Sequence, residues 1–126
     1  MIQGKYVDGF VLSIPKDKAA EYKKLAREAA KVWVDYGALE YKECVMDDIM
    51  PEFISFTFPK MAKTKDDEDT WFSFIVYESK KQRDSINKKV MKFFDEKYGA
   101  NNMPMPFNMK RFAFGGFKVE VSEVKD

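Results

Sequence analysis

The chain contains no histidine, and that absence restricts its chemistry more than any residue present. Imidazole is the commonest metal ligand and the usual general base near neutral pH. Without it, Ser-His-Asp and Cys-His nucleophilic arrangements are excluded, as is a metal site built on histidine. Acid–base work falls to Asp, Glu, Tyr, Lys or Cys with a pKa displaced by burial or by a neighbouring charge. Cysteine is almost as scarce. Cys44 stands alone, so no disulfide forms within the chain, and a reducing compartment is the simpler setting. Neither charge is in excess: 22 Lys and Arg face 21 Asp and Glu, for a formal net charge of +1. A nucleic-acid binder needs a concentrated basic surplus to displace counterions from phosphates, so no nucleic-acid partner is expected. No apolar run approaches the roughly 20 residues of a membrane span, and residues 1–6 lack the basic-then-apolar pattern of a secretory signal. The expectations are a cytoplasmic protein with no membrane partner, no metal site and no cofactor.

What is present fits one domain over residues 1–126, with 45% hydrophobic and 34% charged residues. A core of that size buries roughly two thirds of the unfolded chain's surface without a staple. Residues 6–14 read as a strand ending before Pro15. The period then changes: Tyr22, Leu25, Ala26, Ala29, Trp33 and Tyr36 recur at helical spacing over residues 16–36, and Gly37 supplies a left-handed stop. Residues 39–46 and 70–77 read as strands. Ser79 opens a second helix with Gln82 as capping-box partner. Ile86, Val90, Phe93 and Phe94 run along it to Gly99. A final strand spans residues 111–121, with a bulge or a close backbone approach expected at Gly115-Gly116. The order βαββαβ predicts an α+β, ferredoxin-like antiparallel sheet with two helices on one face. The connection over residues 47–69 is long for a hairpin, and Phe53-Ile54-Ser55-Phe56-Thr57-Phe58 alternates as a short extra strand would.

The strands carry apolar residues on both faces. Trp71, Ile75 and Tyr77 share one side of their strand, and Phe72, Phe74 and Val76 share the other. Tyr6, Phe10, Leu12 and Ile14 oppose Val7 and Val11. Two helices cover one face only, and an apolar patch of that size is uncommon on a monomer. A homodimer packed sheet to sheet answers this; the alternative is that the 47–69 segment folds back over the open face.

Five blocks resemble the YbaA-like bacterial family of unknown function: Tyr6-Val7-Asp8-Gly9-Phe10, Gly37 through Cys44, Trp71 through Tyr77, Arg83 through Met91, and Met105-Pro106-Phe107 through Lys110-Arg111 to Gly115-Gly116-Phe117. They cover most of the chain in order. That family is similar to the dimeric α+β barrel superfamily, so the resemblance implies two sheets closing into a barrel. The superfamily includes cofactor-independent monooxygenases, lactone isomerases, haem-handling enzymes and stress proteins, and fold does not select among them. Members that depend on histidine are poor guides to a chain without one.

Candidate site residues follow from chemistry. Asp8, mid-strand among apolar neighbours, is a candidate catalytic base; the alternative is a structural ion pair, with Arg111 on the adjacent strand as its partner. Arg83 and Asn87, four apart on one helix face, could bind a carboxylate or enolate, or form a solvated face. Trp33, Tyr41, Trp71 and Tyr77 combine aromatic area with polar handles and could line a planar-ligand pocket or serve as core; Arg111 completes the substrate-binding set. Cys44 reads as a small buried hydrophobe. The loop Met103-Pro104-Met105-Pro106-Phe107 reads as a contact for the partner subunit. Three functions stay open: a cofactor-independent enzyme on an aromatic or enolisable substrate with Asp8 or Arg83 as its catalytic residues, a noncatalytic binding or stress-response dimer, and a structural dimer.

Overall fold

The computed structural model describes residues 5–49, 52–100 and 102–126. Its elements are β1 (Tyr6–Pro15), α1 (Ala19–Asp35), β2 (Glu40–Val45), a one-turn helix α2 (Phe58–Met61), β3 (Glu68–Tyr77), α3 (Lys80–Tyr98) and β4 (Ala113–Lys118). Short 3-10 turns at Lys16–Lys18 and Met109–Arg111 lead into α1 and β4. The sheet order is β2-β3-β1-β4 with every neighbour antiparallel, so the fold is α+β and ferredoxin-like, as the βαββαβ pattern predicts.

Local chemistry sets the element boundaries. Pro15 ends β1, since it donates no ladder hydrogen bond. Gly37, at φ 120°, turns the chain from α1 into β2 in a region L side chains avoid. At the start of α3 the Ser79 Oγ accepts from the Gln82 backbone N–H at 3.0 Å, but Gln82 Oε1 is buried without a partner among the described residues. The capping box is therefore half made.

Side-chain parity divides the sheet into two faces. Ala29 and Val32 of α1 and Ile86, Val90 and Phe94 of α3 bury against Ile75 and Tyr77. A second cluster joins Leu12, Ile14 and Trp71 to Tyr22 and Ala26. Both helices thus cover one face, and β-register puts Tyr6, Asp8, Phe10, Tyr41, Glu43, Ser73, Phe114 and Gly116 on that side too. The opposite face carries Val7, Val11, Phe72, Phe74, Val76 and Phe117. Phe72 is 43% and Phe117 60% exposed.

The long connection differs from its sequence reading. Residues 53–57 form turns and loop, and Phe58 opens the α2 turn instead of ending a strand. Thr57 accepts from the Lys60 N–H, and Pro59, lacking an N–H, suits the first turn of a helix. The alternation of phenylalanines yields to this local stop. The connection does fold onto the open face, at one end only. There Ser13, Thr64 and Thr70 form a hydroxyl chain (2.8 and 2.7 Å), and Phe58 lies 6.3 Å from Phe72. Phe53, Phe56 and Phe58 stay largely exposed, which extends the apolar surface.

Other expectations change as well. Gly115 and Gly116 pair in continuous register with Gly9 and Asp8, so there is no bulge. Close approach is the reason for both glycines: a Cβ on Gly116 would sit 2.5 Å from the Tyr6 hydroxyl, and one on Gly115 3.0 Å from the Phe117 ring. Cys44 is exposed. In the 103–107 loop, Phe107 packs edge-on to Tyr22 and stacks on Phe112, and Met103 joins the first core cluster. Those two side chains are occupied within the chain, leaving Met105 exposed.

Candidate functional site

The site forms where the middle of β1 meets the first turns of α3. Asp8 is 1% exposed. Its neighbours across the sheet are Ile75 and Gly116, neither of which can neutralise a carboxylate. The charge partner comes from the helix above: Arg83 Nη1 donates to Asp8 Oδ1 at 2.7 Å. Arg83 is held in turn by Asp84, through Nε at 2.8 Å, and by the Tyr6 ring, whose centroid lies 4.9 Å from its guanidinium carbon. Gly116 makes room for that ring. Gly116, the tyrosine and the arginine are one packing chain that ends on Asp8.

Tyr77 and Asn87 complete the cluster beside the Asp8 carboxyl, and both pull its pKa down against burial. The Trp33 indole N–H donates to Asn87 Oδ1 at 3.0 Å. That contact fixes the amide's orientation, with its oxygen toward the indole. The Tyr77 hydroxyl donates to the same Asn87 Oδ1 at 3.3 Å. Burial raises the Asp8 pKa above its ordinary value, against the pull of Arg83, Tyr77 and Asn87. Burial and the Asp8 charge push the Tyr77 phenol well above its usual range.

Five of the residues singled out in the sequence, Asp8, Arg83, Trp33, Tyr77 and Asn87, therefore meet in one network. Arg83 and Asn87 also line an open groove of about 950 Å³ along α3, with charged Asp84, Lys88, Lys92, Asp95 and Glu96 beside them and Met91, Ala100 and Phe114 as its apolar part. Tyr41 adjoins the network through Trp33, ring to ring at 5.8 Å. Arg111 and Trp71 lie elsewhere. The Asp8–Arg111 pair considered from sequence does not form. Register places Gly116 beside Asp8, whereas Arg111 lies before β4 begins. Arg111 instead grips Glu68 with two hydrogen bonds of 2.6 and 2.7 Å. Trp71 packs edge-on against Tyr22, and its buried indole N–H has no acceptor among the described residues.

A second polar cluster centres on Glu43, which the sequence reading passed over. Strand parity gives the missing signal: Glu43 shares the inward face of β2 with Tyr41. Its two carboxylate oxygens accept from Tyr22 and Tyr41, each at 2.7 Å. Burial raises the Glu43 pKa, against the effect of those hydroxyls and of Ser73. Both tyrosines are pushed far above the ordinary phenol range, by burial and then by the Glu43 charge. Among the described residues no three His, Cys, Asp or Glu side chains gather as metal ligands would, and no helix is long and apolar enough to cross a membrane.

Comparison with known proteins places the chain. Residues 5–109 match the family model described as Protein of unknown function (DUF1428). Uncharacterized protein YbaA of Escherichia coli (strain K12) is 38% identical over 119 residues, covering 94% of this chain and 99% of the relative. The Shigella flexneri protein of the same description matches with the same identity and coverage. Among solved structures, a Bacillus cereus protein related to NIF3 aligns with 95% of this chain and 27% of that one, at 12% identity and a TM-score of 0.33. That similarity is too slight to inform fold or function. The family match and the near full-length relatives agree with each other, and the chain belongs to the DUF1428 family of unknown function.

Proposed function

We propose that the protein is a homodimeric small-molecule-binding protein, each copy presenting a ligand groove along α3, with Arg83 and Asn87 as its polar contacts. One observation carries the binding site: Asp8, Tyr77 and Trp33 hold Arg83 and Asn87 in place from beneath, so both reach the groove already ordered. Preorganised polar groups beside an apolar wall of Met91 and Phe114 suit a planar aromatic or enolisable compound. The dimer reading rests on the open sheet face, where Phe72, Phe74, Val76 and Phe117 have no cover from either long helix. A second copy related by a two-fold axis buries that face and yields the barrel implied by the family resemblance. Cysteine usage supports a cytoplasmic setting.

Binding is favoured over catalysis on geometric grounds. Asp8 is already paired with Arg83 and is 1% exposed, which leaves it little capacity to take a substrate proton. A cofactor-independent enzyme remains the second reading, because burial holds the same carboxyl above its usual pKa. The test is a screen of quinols and other planar or enolisable compounds by calorimetry, with turnover and oxygen uptake followed in parallel. Binding that Arg83→Ala abolishes, without turnover, supports the first reading. Turnover lost in Asp8→Asn supports the second. Ligands that bind equally well to the Arg83→Ala protein would remove the groove as the site.

A further inference from the structure

Beyond the α3 groove, the layer between α1 and the sheet holds a smaller cleft of about 350 Å³. Lys23, Ala26, Arg27 and Ala30 of α1 line one side, Tyr41, Glu43 and Val45 of β2 the other, and Trp71 of β3 the end. Its chemistry is lopsided. The Glu43 carboxylate is bonded by two phenols, and no ion pair reaches it among the described residues, although eight ion pairs form elsewhere among them. The other two buried or part-buried carboxylates discussed above, Asp8 and Glu68, each have an arginine. A carboxylate withdrawn from water without a cation is costly to keep ionised. Lys23 and Arg27 are likewise unpaired among the described residues. They stand four apart on one face of α1, exposed beside the cleft.

We propose that this cleft binds a small zwitterionic amine, of the amino-acid or ω-amino-acid class. The ligand's ammonium group supplies the cation that Glu43 lacks, in a charge-assisted hydrogen bond. The aromatic side chains of Tyr41 and Trp71 flank it, as rings flank ammonium groups in cation–π sites. The ligand's carboxylate meets Lys23 and Arg27. Ala26 and Ala30 keep the helix side of the cleft clear, because neither side chain extends beyond a methyl group. The volume falls at the small end of ligand pockets, which suits a compound of this class. This site and the α3 groove lie over different parts of the sheet, so either stands if the other fails.

Isothermal titration of the full chain with 6-aminohexanoate, hexylamine and hexanoate tests the assignment, since the three share a carbon skeleton and differ in charge. The proposal expects 6-aminohexanoate to bind most tightly, hexylamine more weakly, and hexanoate least. Glu43→Gln keeps the shape and a hydrogen-bonding end for both tyrosines, and should weaken 6-aminohexanoate by about tenfold or more. The exposed pair Lys23→Met with Arg27→Met leaves the core untouched. It should weaken 6-aminohexanoate and leave hexylamine unchanged, which keeps the test decisive should Glu43→Gln fold poorly. Hexanoate binding more tightly than hexylamine, equal affinities in the wild-type and Lys23/Arg27 proteins, or no heat with any of the three compounds at millimolar concentration would each overturn it.

Discussion

Removing Arg111 tests the account of the fold where its energetics are sharpest. Arg111 is 15% exposed and Glu68 6% exposed by side chain, and the guanidinium also donates to the Lys63 carbonyl at 3.0 Å. Glu68 in turn accepts from the Lys65 backbone N–H at 2.8 Å. One side chain thus ties the turn before β4 to the start of β3 and to the end of the long connection. Arg111→Ala leaves Glu68 buried without its ion-pair partner, an arrangement that costs about 3–5 kcal/mol. The pKa agrees in sign and size. Arg111's hydrogen bonds, outweighing burial, hold Glu68 at about 2 against an ordinary 4.5, which is worth at most about 3 kcal/mol. A depressed carboxylate pKa stabilises the fold above the unfolded value and loses that contribution as pH falls from about 4.5 through about 2. Urea denaturation should therefore show a gap of roughly 3 kcal/mol between wild type and Arg111→Ala at pH 7, narrowing as the pH drops through that window. A gap below about 1 kcal/mol at pH 7, the range of an exposed pair, would refute the reasoning. So would a gap independent of pH.

Other perturbations give separate checks. Gly116→Ala should displace the Tyr6 ring that the glycine admits, costing roughly 1–3 kcal/mol, measured by thermal melting. Ser79→Ala removes the side-chain cap of α3 and should cost about 1 kcal/mol by the same measurement. Asp8 has the opposite sign from Glu68. Its folded pKa is raised, so its contribution is full below the unfolded value near 3.8 and is lost as pH rises through the folded one. Wild-type stability should accordingly fall relative to Asp8→Asn as pH rises from about 3.8, read from paired denaturation curves.

Much of the fold was legible because it rests on local chemistry. Helical spacing from Tyr22 to Trp33, the Ser79 cap and Gly37 each act within one turn of chain, and each stands where the sequence puts it. Strand parity correctly separated Trp71, Ile75 and Tyr77 from Phe72, Phe74 and Val76. The long connection departs from its strand-like pattern because phenylalanine alternation over residues 53–58 is weak against a Thr57 cap followed by Pro59. Partner choice was the least legible level. Asp8 finds Arg83, 75 residues away, only because α3 crosses above β1, and composition carries no trace of that crossing. Glu43 was readable in principle, since a charged residue on the same strand parity as Tyr41 must lie under a helix. Its two phenol donors, one from α1 and one from its own strand, come together only in the folded chain.

In the proposed dimer, a second copy of this chain closes the open sheet face. Light scattering on the purified protein at micromolar concentration tests it directly, with Phe74→Glu alongside to place a charge in the middle of that face. The account predicts a mass twice the 14.8 kDa of one chain, falling to the single-chain mass in Phe74→Glu with the fold retained by circular dichroism. A wild-type mass of one chain, or a dimer indifferent to Phe74→Glu, would contradict it.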